Sequence, residues 1–99
     1  MRSNAIARRV GVLLADDGNW LKRNFGFTDA GNKKGCLVGA IRFACREAGD
    51  PSGKMASRAI HHFQKAVLKF GRDSGVISFN DDNATTFSDI RKVIRIASR

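Results

Sequence analysis

Apolar residues recur at three- and four-residue spacing in four separate stretches of the chain, and this period predicts four helices. The first stretch places Ile6, Val10, Leu13 and Leu14 on one stripe behind Ser3, a residue type that caps helix starts, and closes near Asp17-Gly18. The second begins around Gly35 and runs to Ala48, with Leu37, Ile41, Ala44, Cys45 and Ala48 on one face and Gly49-Asp50 as its stop. Gly39 and Ala40 on that helix are small enough for a neighbouring element to approach closely. The third opens at Asp50-Pro51-Ser52, where a proline in the first turn forfeits no hydrogen bond, and reaches Phe70 with Gly71 as its C-cap. The last starts at Thr85 or Thr86 and carries Phe87, Ile90, Val93, Ile94 and Ala97 inward. Asp89, three residues after Thr86, makes a capping box with Asp in place of the usual Glu.

Two intervals break the helical period. Trp20, Phe25 and Phe27, followed by the turn-forming Asp29-Ala30-Gly31-Asn32, predict an extended segment or short hairpin over the core, with Trp20 as a large core residue beneath it. Val76, Ile77 and Phe79 form a brief β-prone run that ends in Asn80-Asp81-Asp82-Asn83, a turn signal. The expected fold is mainly α: a four-helix compact domain with short extended segments around residues 19–28 and 75–79, and residues 1–99 as a single domain. There is no internal repeat, low-complexity tract or linker.

Composition narrows the class. At 42% hydrophobic and 27% charged residues, the chain is globular rather than disordered. No apolar run approaches the roughly 18–20 residues that a membrane span needs. Val10–Ala15, interrupted by Gly11, is too short for the core of a signal peptide, so a cytoplasmic location with no membrane partner is expected. Cys36 and Cys45 lie nine residues apart; on one helix that is about 13 Å along the axis and on opposite sides, which excludes a bridge between them.

Charge is the most unusual feature of the chain. Eighteen Lys and Arg against nine Asp and Glu leave a net charge of +9. The excess divides evenly, with nine basic and five acidic residues in 1–50 and nine and four in 51–99, so it belongs to the folded body rather than to a tail. On the third helix, at 100° per residue, Ala56, Ile60, Phe63, Val67 and Phe70 share an arc of about 80°, while Lys54, Arg58, His61, His62, Lys65, Lys69 and Arg72 occupy the opposite side. No Asp or Glu occurs from Pro51 to Arg72. Solvated helix faces normally mix signs, because opposite charges at i,i+4 stabilise and like charges repel. Arg91, Lys92, Arg95 and Arg99 repeat the pattern on the last helix. These eleven residues are the candidate binding site, and the expected partner is nucleic acid, engaged through backbone phosphates without sequence reading. The alternative is an acidic or nucleic-acid-binding protein.

Chemistry is weakly represented. Cys36 at a helix start, with His61 or His62 and Asn80 or Asp81 downstream, can be sketched as a thiol-hydrolase order. A small, buried, unreactive cysteine beside Gly39 and Ala40 explains it better. His61 and His62 diverge by about 100° and do not converge on one ion. No catalytic residue, metal or cofactor is expected, and the chain reads as non-enzymatic.

Trp20 after the first helix, Gly35-Cys36-Leu37-Val38-Gly39-Ala40-Ile41, Ile77-Ser78-Phe79-Asn80-Asp81, and Thr86 leading into Asp89-Ile90 follow one another in an order that resembles an uncharacterised family of small bacterial and bacteriophage domains. The resemblance covers most of the chain. It implies a bacterial or phage origin, no established activity, and a reason to look closely at Asn80 and Asp81. A phage origin also implies a second kind of role: an inhibitor or adaptor that targets an acidic surface or a nucleic-acid-binding host complex, such as a defence system.

Overall fold

The computed structural model describes residues 2–23, 26–28, 34–50 and 52–99, without the side chain of Thr28. Four of its helices follow the periodic stripes: α1 (Ser3–Leu13), α2 (Leu37–Glu47), α3 (Lys54–Phe70) and α5 (Phe87–Ala97). A shorter helix, α4 (Val76–Asp81), lies between α3 and α5 in sequence. Helix α1 packs on α2, α3 and α5, α3 packs on α2 and α5, and α4 rests against α2 and α3. The Cα radius of gyration is 12.0 Å, compact for a chain whose expected value is about 13 Å.

The core is one cluster built from the predicted stripes, with Ile6, Val10, Leu14, Leu37, Ile41, Phe63, Val67, Phe79, Ile90 and Val93 fully buried. The ends of the helices also follow local rules. Thr86 Oγ1 accepts from the Asp89 amide at 3.2 Å while Asp89 Oδ2 accepts from the Thr86 amide at 3.0 Å, which completes the capping box. Gly71 stops α3 in the left-handed region at φ +107°, a conformation that glycine adopts without strain. Asp50 accepts from the amides of Met55 and Ala56 and so occupies the start of α3.

Two expectations are revised. Residues 76–79 are helical, not extended. Val76, Phe79 and Asn80 are the buried positions of α4, an i, i+3, i+4 set, and Ile77 between them is 48% exposed. A run that short fits either period, and packing on α2 and α3 selects the helix. Helix α1 ends at Leu13, and a 3₁₀ turn at Asp17–Asn19 follows it. The extended segment expected around 19–28 is present among the described residues: Trp20 bridges Gly35, and strand β1 (Phe27–Thr28) pairs antiparallel with β2 (Lys34–Gly35). The roles assigned to Phe25, to the turn at 29–32 and to Pro51 lie outside the described residues.

Candidate nucleic-acid interface

Two contacts set the relation of the two basic helices. His62 Nε2 lies 2.7 Å from the carbonyl of Ala97, at the end of α5, and Arg72 Nη2 lies 3.7 Å from Asp89, near its start. Residue numbers rise along α3 as they fall along α5, so the helices run antiparallel. Arg58 and Arg99, Lys65 and Arg95, and Lys69 and Lys92 therefore stand roughly level with one another along the shared axis.

The buried positions of α3 are Ala59, Phe63, Ala66 and Val67, which turns Lys54, Arg58, His61, Lys65 and Lys69 to solvent. On α5, Ile90, Val93, Ile94 and Ala97 are buried and Lys92, Arg95 and Arg99 are exposed. Arg58 to Lys69 spans about 17 Å along the helix axis. Among the described residues, none of the Lys and Arg on this exposed surface lies within ion-pair distance of a carboxylate; the pairs present are Arg9 with Glu47 and Arg72 with Asp82 and Asp89.

The remaining candidates are held inside the fold. Arg72 pairs with Asp82 at 3.3 Å and with Asp89, donates to the carbonyl of Ala84, and lies over the ring of Phe79 at 5.6 Å. It ties α3 to the segment between α4 and α5. Arg91 Nη1 donates to the carbonyls of Gly11 and Leu14 at 2.7 and 3.2 Å, holding α5 to the end of α1. His62 sits at the rim of the apolar stripe, half-buried, where α5 covers it. The charge pattern on α3 and α5 identified these residues as basic but carried no information about partners on other elements.

Asn80 has a role that a turn signal did not reveal. It is buried, 1% exposed. Its Oδ1 accepts from Trp20 Nε1 at 2.7 Å and from the Leu37 amide at 3.0 Å; its Nδ2 donates to the Leu21 carbonyl at 3.1 Å and to Asp81 Oδ1 at 3.0 Å. Asp81 Oδ1 also accepts from the amide of Arg23, which is held at φ +55°. The Asn-Asp pair thus fastens the end of α4 to residues 20–23 and to the start of α2. All of its hydrogen-bonding capacity on Asn80 is used in this way.

Cys36 is the N-cap of α2, buried, with Sγ accepting from the Gly39 amide at 3.2 Å. Cys45 is also buried; burial pushes its thiol up from the ordinary value, and nearby Asp50 adds to the shift. Both thiols are expected to resist iodoacetamide in the native protein near pH 8 and to react promptly after unfolding, as followed by mass spectrometry. Rapid modification of Cys36 before unfolding would contradict its placement. Among the described residues, no three His, Cys, Asp or Glu side chains are grouped to hold a metal ion, and no helix is long and apolar enough to cross a membrane.

A family model described as a family of unknown function (DUF6197) matches residues 2–99. No curated protein and no solved structure matches the chain.

Proposed function

The chain belongs to DUF6197, a family of unknown function, and we propose that it is a non-enzymatic binding protein that engages nucleic acid through backbone phosphates on the exposed faces of α3 and α5. The supporting observation is the electrostatic imbalance of two antiparallel rows, Arg58, Lys65 and Lys69 beside Lys92, Arg95 and Arg99, without carboxylate partners among the described residues. Like charges at this density repel one another, and the acid-free stretch of α3 forgoes the i,i+4 pairs that would offset the repulsion. A duplex relieves it. DNA carries one phosphate per about 1.7 Å of its axis, counting both strands, and releases condensed counterions as the cations replace them. Six neutralised phosphates correspond to a slope of about −5 in log affinity against log salt.

A short fluorescein-labelled DNA duplex, titrated by anisotropy at several NaCl concentrations, is expected to bind with that steep salt dependence. The double variant Lys65→Glu/Lys69→Glu is expected to flatten the slope by about 2 and to weaken binding at least tenfold at low salt. Both positions are exposed, so the fold is expected to survive, and circular dichroism checks it. Unchanged affinity and slope in the double variant, or no duplex binding by the wild type, would refute the proposal.

A further inference from the structure

The unbalanced charge continues past α5 into a groove against α1, and we infer that this groove anchors one backbone phosphate of the bound nucleic acid through Arg91. The inference rests on the proposed nucleic-acid binding and extends it to a third helix. The groove has a volume of about 340 Å³, with Arg8, Gly11 and Val12 from α1 facing Arg91, Ile94 and Arg95 from α5. Three guanidinium groups line it, and no carboxylate among the described residues does.

The close approach of the helices explains how Arg91 is held. A Cβ on Gly11 would meet Ile94 Cγ2 at 3.3 Å and Arg91 Nη1 at 3.7 Å, so the glycine leaves room for both. Arg91 Nη1 donates to the carbonyls of Gly11 and Leu14, at the end of α1, where the helix carries partial negative charge. Two acceptors on one nitrogen fix the plane of the guanidinium. Its Nε and Nη2 have no partner among the described residues. A guanidinium presents its N–H groups as a fork that matches two oxygens of a phosphate, and a fork already oriented loses little side-chain freedom on binding. Exposed Arg8 and Arg95 flank it and raise the local anion concentration.

Val12 provides a probe that removes no arginine. It is 62% exposed and lines the groove, so Val12→Glu sets a carboxylate beside the three guanidiniums without disturbing the core. In the anisotropy titration, Val12→Glu is expected to weaken duplex binding roughly five- to tenfold and to flatten the salt slope by about 1. Val12→Gln, of the same size and neutral, is expected to bind within about twofold of the wild type. Ile77→Glu, which adds the same charge at an exposed position of α4 outside the lining of the α1–α5 groove, is expected to do likewise. If Val12→Glu binds like the wild type while Lys65→Glu/Lys69→Glu fails, the groove is not an anchor and the outer face stands. An equal loss in Ile77→Glu also overturns the groove assignment, because net charge alone would account for it. A wild type that binds no duplex removes both proposals together.

Discussion

Asn80→Ala is expected to lower the free energy of unfolding by about 3–5 kcal/mol, because one side chain satisfies polar groups from three separate parts of the chain. Truncation leaves the buried Leu37 amide and the part-buried Trp20 indole N–H without their acceptor, and the Leu21 carbonyl without its donor. Each stranded buried group costs about 1–3 kcal/mol, and the cavity left beside fully buried Phe79 and Leu37 adds to the loss. The consequence is not local. Asn80 holds the first turn of α2, the residues after α1 and the end of α4 in one place, so all three loosen together. For a domain of this size the melting temperature is expected to fall by roughly 12 °C or more. Asn80→Asp keeps both acceptor contacts through Oδ1 but loses the donors and sets a carboxylate against Asp81, so its melting temperature is expected to fall between the two. A thermal unfolding curve for Asn80→Ala within 2 or 3 °C of the wild type, as estimated from about 0.5 kcal/mol, would show that the network contributes little.

Gly39→Ala is the second large effect, and its sign opposes helix propensity. Alanine is favoured over glycine by about 1 kcal/mol inside a helix, so the substitution would stabilise an isolated α2. In the fold, a Cβ at Gly39 runs into the carbonyl carbon and oxygen of Gly26, which are main-chain atoms with no rotamer to change. Gly26 is itself held, its carbonyl accepting from the Cys36 amide at 3.3 Å. Either the segment around β1 must lift from α2 or the helix must shift, and overpacking of this kind costs about 1–3 kcal/mol, more where backbone is involved. A net loss of about 2 kcal/mol is expected from urea unfolding, since the clash is with main chain and its cost lies at the upper end of that range, less the gain in propensity. Gly18→Ala is the control: a Cβ there meets nothing within 4 Å, and the stability is expected to stay within about 0.5 kcal/mol of the wild type. Equal stability of the two variants would mean that β1 does not pack as closely on α2 as the geometry requires.

Much of this architecture is written in local periodicity. The stripes Ile6, Val10, Leu13 and Leu14, then Leu37, Ile41, Ala44 and Cys45, and finally Ile90, Val93, Ile94 and Ala97, became the buried faces of α1, α2 and α5. The Thr86–Asp89 capping box and the Gly71 stop are likewise local, since each is decided within one helical turn by residues three or four apart. Gly39 was legible as a point of close approach, although its neighbour, the Gly26 backbone, was not.

The helical class, the stripes that form the core, the unpaired cysteines and the excess of positive charge follow from backbone period and from counting residues. The docking of whole helices selects which polar groups meet. Asn80 finds Trp20 and Leu37 at separations of 60 and 43 residues, and Arg91 finds Leu14 and Gly11 at 77 and 80. It also decided that residues 76–81 coil rather than extend, and that Arg72, Arg91 and His62 turn inward while Lys65, Lys69, Lys92 and Arg95 stay at the surface. The difference is one of range: a helix period is fixed by neighbours a few residues away, whereas the partner of a buried or half-buried polar group is fixed by how whole helices come together.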